Sequence, residues 1–94
     1  MTETRGGLKL RLVAGTQRKN LKSTPSARAL LASNLVSLRA ERQWSQEELA
    51  FRAGLHRTFV THVERQSRNI ALDNLEKLAV ALGVAAHELL VPVE

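Results

Sequence analysis

The stretch that decides the fold is SQEELAFRAGLHRTFVTHVERQSRN, Ser45 to Asn69. Two short segments with helical apolar spacing flank one glycine, Gly54. The upstream segment opens on Ser45-Gln46-Glu47-Glu48, a capping box with a hydroxyl at the cap and a carboxylate three residues on. Leu49, Ala50 and Ala53 form its inner face. Gly54 ends it, as glycine does where a helix closes in a left-handed turn. Leu55 and His56 make the turn, and the downstream segment predicts a helix from about Arg57 to Arg65. At about 100° per residue, Arg57, Thr61, Arg65, Thr58 and His62 share an arc of about 140°, while Phe59, Val60 and Val63 fall between about 200° and 300°.

A solvated helix face usually mixes signs. None of these five outward positions is acidic, and Glu64 sits at the border of the face, placed to pair with an arginine. An arginine at a helix start can reach guanine N7 and O6 with two nitrogens, and threonine can bond a base or touch a thymine methyl. A short helix, a tight turn and a second helix with such a face make the helix-turn-helix design.

Outward from this pair, STPSARALLASNLVSLRAER predicts a preceding helix. Thr24 is the expected cap and Pro25 suits the first helical position. Leu31, Leu35 and Leu38 make its buried stripe, and Arg39 and Arg42 lie in its last turn, where the dipole favours cations. Downstream, QSRNIA is a polar loop. LDNLEKLAVALG predicts a fourth helix with Leu72, Leu75, Leu78, Ala79 and Leu82 inward and Gly83 as its stop. AAHELL predicts a short fifth helix, ended by Pro92. The expectation is an all-α domain of five helices over residues 24–94, behind a basic arm over 1–23.

That arm carries most of the charge. Residues 1–28 hold seven Lys/Arg against Glu3 alone, a balance of +6, although the whole chain is only +5. Such arms bind nucleic acid or stay solvated and disordered. LKLRLV, Leu8 to Val13, alternates like a strand but has no partner strand in the chain. Disorder is expected there. The chain has no Cys, so thiolate metal sites and disulfides are excluded. The three His, His56, His62 and His87, lack metal-ligand spacing. No nucleophile elbow or phosphate-cradling glycine loop is present. No enzyme activity, metal or cofactor is expected. No apolar run approaches the roughly 18 residues of a membrane span, and the expected location is the bacterial cytoplasm.

The run LRAERQWSQEELAFRAGLHRTFVTHVERQSRNIALDNLEKLAVALGV resembles the Cro and phage-repressor, or XRE-type, helix-turn-helix family over about residues 29–91. Its landmarks are SQEELA, the Ala50/Gly54 turn, VER and the closing LEKLAVALGV. Within that family HRTFVTHVERQSRN is most similar to controller proteins of restriction–modification systems. The resemblance implies a lambda-repressor-like regulator of transcription that binds double-stranded operator DNA as a homodimer. Arg57, Thr58, Thr61 and His62 would face bases. Gln46, Arg65, Ser67, Arg68 and Asn69 would hold the backbone, with Arg68 alternatively reaching a base. Leu89, Leu90 and Val91 would lie in the dimer interface. Glu47 and Glu48 have a plain role in capping, and a sharper one as an acidic patch that touches RNA polymerase in activators.

The chain also departs from the family. Gln66 and Ile70 stand where Gly and Pro are usual, so a different loop backbone is expected. His56 stands where a cap residue is usual, and imidazole is a poorer cap than Ser or Asp; Ala85 also replaces a usual cap, which predicts a frayed fifth helix. Phe51 points away from the inner face of its helix, toward the arm or a neighbouring loop. Trp44 reads as a lid on the core between the first two helices rather than a base-stacking platform. A second functional class is an antitoxin that binds its own promoter and a toxin, with LKLRLV as the toxin-binding element.

Overall fold

A computed structural model describes residues 25–93 as four α-helices and a 3-10 helix. These are α1, Ala27–Arg42; α2, Gln46–Ala53; α3, Phe59–Glu64; α4, Leu72–Leu82; and the 3-10 helix Ala86–Leu90. The expected arm, its LKLRLV alternation and Thr24 lie outside the described residues.

The core is aliphatic. Leu31 and Leu35 from α1, Leu49 and Ala50 from α2, Val60 and Val63 from α3, and Leu75, Leu78, Ala79 and Leu82 from α4 are buried together. Leu89 of the 3-10 helix completes the cluster. Each fully buried Leu or Val contributes about 1.5–3 kcal/mol over its exposed state. Leu38, Trp44, Leu55, Phe59 and Ile70 pack around this centre, partly buried. The α1 stripe and the inner face of α2 thus fall where their spacing places them.

Each α-helix closes with the same pair of hydrogen bonds. The residue after α1, Gln43, adopts a left-handed conformation, its N–H donates to Ala40 O, and Trp44 N–H donates to Arg39 O. Gly54, Gln66 and Gly83 repeat the pattern at the ends of α2, α3 and α4. Two glycines meet the requirement for positive φ without cost, and two glutamines meet it at φ 59° and 60°. The Gln66 loop therefore keeps the left-handed turn that a glycine would adopt.

Several boundaries differ from expectation. Ser26 caps α1, its hydroxyl accepting from Ala29 N–H at 3.1 Å, so Pro25 precedes the helix instead of opening it. Ser45 caps α2 as expected, accepting from Glu48 N–H at 2.9 Å. The Glu48 carboxylate turns away to accept from Arg52 at 2.6 Å, so only half of the capping box forms. α3 starts at Phe59, and Arg57 and Thr58 belong to the turn. Leu72 is 75% exposed rather than buried. It occupies the first position of α4, and Ile70 in the preceding loop packs on the core instead.

The expected fifth α-helix is a five-residue 3-10 helix, which makes four α-helices rather than five. Ala85 offers no capping oxygen, and the Glu88 carboxylate reaches back to accept the Ala85 N–H at 3.3 Å. Short helices of this kind prefer the tighter winding. Leu89 is buried in its own protomer's core at 0% exposure, so it has no surface to give to a dimer. Leu90, Val91 and Val93 stay exposed beside it.

One buried polar side chain holds this end of the domain. Asn34 Nδ2 donates to the carbonyls of Leu30 at 2.9 Å, Leu89 at 3.0 Å and Val91 at 2.7 Å. It joins α1 to the C-terminal segment across more than fifty residues of chain. On the other side of α1, Arg42 donates to Leu38 O at 3.0 Å and Leu82 O at 2.6 Å, so one guanidinium serves carbonyls of both α1 and α4. Trp44 lies over the core edge, with the Arg52 guanidinium 4.2 Å from its ring centroid.

Candidate nucleic-acid interface

α2, the Gly54 turn and α3 form a helix-turn-helix unit, and its outward side holds most of the expected contact residues. The turn closes on His56. Its Nδ1 accepts from Thr58 N–H at 3.2 Å and lies 2.9 Å from Thr58 Oγ1. The imidazole thus braces the turn ahead of α3, whose N-cap residue, Thr58, makes no side-chain capping bond. This ring and the bond from Phe59 N–H to His56 O, at 2.9 Å, set α3 two residues later than the apolar spacing predicts. Arg57 and Thr58 are exposed at the mouth of α3, and Thr61 and His62 follow as half-buried neighbours.

Under this face lies a chain of polar contacts that crosses three helices. Arg39 of α1 grips Glu64 of α3 with two nitrogens, at 2.7 Å and 2.9 Å. Glu64 Oε1 also accepts from Gln46 Nε2 at 2.7 Å. Gln46 Oε1 accepts from the Thr61 hydroxyl at 2.7 Å. A third Arg39 nitrogen donates to Trp44 O at 2.9 Å. Arg39 and Glu64 are largely out of solvent, with side-chain exposures of 16% and 7%. The border position of Glu64 therefore finds its arginine. Gln46, at the start of α2, is locked in orientation: both ends of its amide are engaged, and one Nε2 hydrogen remains for an outside acceptor.

The segment after α3 presents Arg65, Ser67, Arg68 and Asn69, all exposed. Ser67 Oγ donates to His62 O at 3.1 Å and steadies the turn. Asn69 Oδ1 accepts from the guanidinium of Arg28, which arrives from the first turn of α1. Among the described residues, Arg57, Arg65 and Arg68 form no ion pair. The acids near this side behave differently: Glu64 is consumed by Arg39, and Glu48 pairs with Arg52 at 2.6 Å. The arrangement can donate hydrogen bonds and positive charge; Glu64 and Glu48 are both paired, and Glu47 stays exposed at the start of α2.

Sequence reasoning grouped Gln46, Thr61, His62 and the loop residues, and the structure joins Thr61 to Gln46 and Ser67 to His62. It missed Arg28 and Arg39, whose partners lie 41 and 25 residues away. No local spacing encodes either pair. Phe51, expected against the arm or a loop, is 79% exposed.

This fold and this donor-rich side define a DNA-binding helix-turn-helix domain. The sequence profile of the helix-turn-helix family matches residues 35–89, and the chain belongs to that family, among proteins that include restriction–modification controllers. It is 43% identical over 68 residues to the control protein C.BamHI of Bacillus amyloliquefaciens, covering 71% of this chain and 84% of that one. It is 58% identical over 65 residues to a hypothetical transcription factor of Neisseria meningitidis serogroup B, covering 69% of this chain. The aligned part spans 61% of the length of that relative. The crystal structure of the Neisseria factor superposes with a TM-score of 0.69 at 57% identity, covering 71% of this chain and 77% of that one. The restriction–modification controller C.AhdI of Aeromonas hydrophila superposes at 0.63 with 44% identity, covering 66% of this chain and 94% of that one.

Proposed function

We propose that the chain is a dimeric, operator-binding regulator of transcription, a controller of a restriction–modification operon, and not an enzyme. The observation that carries this reading is the exposed donor side of the helix-turn-helix unit, with its one central acid neutralised from beneath by Arg39. In this reading α3 enters the major groove. Arg57, at the mouth of α3, makes a bidentate contact to guanine. Thr58, Thr61 and His62 read the neighbouring bases. The Thr61 hydroxyl gives its proton to Gln46, so it offers acceptor lone pairs or its methyl group to a base. Gln46 holds a phosphate with its remaining N–H, aided by the dipole of α2. Arg65 and Arg68 grip the backbone beyond α3, while Ser67 and Asn69 steady the loop that carries them.

The dimer forms along the exposed edge of Leu90 and Val91, without Leu89. This sets two α3 helices about 34 Å apart, one helical turn of DNA. Glu47 is exposed at the start of α2 and is the residue offered to RNA polymerase where the protein activates. Residues 1–23 act as a basic arm beside the domain of 24–94. A cytoplasmic site of action follows from this reading; among the described residues no helix is long and apolar enough to cross a membrane.

The test is selection of bound DNA from a random duplex pool at moderate salt. A motif with two half-sites about one helical turn apart is expected. No enrichment by the folded protein overturns the reading.

A further inference from the structure

We propose that Arg28 and Arg68 build a phosphate cradle that grips the DNA backbone beyond the end of α3, that Asn69 serves it by positioning Arg28, and that Ser67 braces the loop that carries it. The inference rests on the DNA-binding reading and adds to it a residue far from the helix-turn-helix unit in sequence.

The geometry comes first. Arg28, Gln66, Ser67, Arg68 and Asn69 line an open cavity of about 190 Å³. Two guanidinium groups, one from α1 and one from the loop, therefore share one small space. No carboxylate lines that cavity, the first turn of α1 carries no acid, and Glu64, which lines a neighbouring cavity past Gln66, is already paired with Arg39. Among the described residues, the N–H groups of Arg68 and Asn69 meet no backbone carbonyl, so two loop amides remain available there.

The choice of partner for Arg28 is informative. Its guanidinium is held by the amide oxygen of Asn69, a neutral acceptor. A carboxylate would hold it as well but would cancel its charge. An amide fixes the direction of the side chain and leaves the positive charge intact for an anion. The guanidinium presents five donors, so one bond to Asn69 leaves a fork free for phosphate oxygens. The left-handed turn at Gln66, φ 60°, brings the loop round so that Asn69 meets α1. The ligand is a phosphodiester of duplex DNA, since the cavity is lined by the loop that directly follows α3, the helix read as entering the groove. A contact of this kind reads charge and not sequence.

The experiment uses the full chain and two fluorescent duplexes of about 30 base pairs, some three helical turns. One is the duplex that the wild-type chain selects, and the other has a scrambled sequence. Arg28→Ala is expected to weaken both by the same factor, about 3–10-fold, and to lower the slope of log affinity against log salt by about one. Arg28→Lys is expected to keep the slope. Asn69→Ala is expected to weaken binding by itself and to add nothing in the Arg28→Ala background. Arg28 is exposed, so thermal unfolding by circular dichroism stays unchanged. Unchanged affinity and slope in Arg28→Ala overturn the proposal, as does a loss confined to the selected duplex. A wild-type chain that binds neither duplex overturns the DNA-binding reading itself, a result the variants cannot mimic.

Discussion

Two polar side chains, both largely out of solvent, tie segments of this small domain together, and they do so by different means. Glu64 is charged, held by two nitrogens of Arg39 and one of Gln46, beneath the donor side of α3. Asn34 is neutral, and its amide ties the carbonyls of Leu89 and Val91 to α1 at the C-terminal edge. A buried ion depends on its counter-ion, so removing either member strands the other. A buried amide that donates to backbone carbonyls fails by degrees, because each freed carbonyl costs only its own desolvation. The ion fixes a geometry that must be held for recognition. The amide fixes a seam.

The largest effect expected from breaking this contrast is Glu64→Ala. It leaves Arg39 uncompensated and should cost about 3–5 kcal/mol of stability in urea unfolding. Replacing both partners by apolar residues, Arg39→Met with Glu64→Leu, should restore most of that stability while DNA binding stays impaired, because Gln46 has lost its tether. Full binding by the double variant would show that the tether is dispensable. Asn34→Ala should cost about 1–3 kcal/mol, with the exchange of amide hydrogens rising first in residues 86–91. Equal exchange across the domain would mean that Asn34 supports the whole core instead of its seam. Arg57→Ala should leave unfolding unchanged and cost about 1–3 kcal/mol on the selected duplex, with little effect on a scrambled one. Equal losses on both would make Arg57 a phosphate contact. The smallest effect sharpens the view of the helix ends. Gln66→Gly should stabilise the fold by about 1 kcal/mol by relieving the left-handed residue. Gly54→Ala should do the reverse by a similar amount, since an added Cβ meets nothing within 4 Å and the cost is purely conformational.

The core and the helix order were legible because each rests on local chemistry. Leu31, Leu35, Leu49, Leu75, Leu78 and Leu82 recur at helical spacing, and Gly54 and Gly83 mark ends. Gln43 and Gln66 make the same turn without the residue that advertises it, so the end of α1 and the loop after α3 could not be read the same way. Leu72 carried the right spacing but sits at the first position of α4, where Ile70 supplies the cover. Thr61 and His62 share α3 as its wheel has them, although Arg57 and Thr58, counted on the same wheel, lie in the turn before it. The supports beneath and beside α3 were not legible, because Arg39–Glu64 and Arg28–Asn69 join residues that only the assembled helices bring together. The start of α3 moved for a subtler reason: the ring and carbonyl of His56 hold Thr58 and Phe59 in a turn that delays the helix.

The position of Trp44 has an optical consequence. The chain contains one Trp and no Tyr, so its near-ultraviolet emission comes almost entirely from one indole. That indole lies against the core between α1 and α2, under the Arg52 guanidinium, and on neither the mouth of α3 nor the loop after it. The protein therefore carries a built-in fluorophore that responds to opening of the α1–α2 junction. A duplex added to the folded chain leaves the emission maximum in place unless that junction itself rearranges, so unfolding and DNA occupancy can be followed in one cuvette by two separate signals.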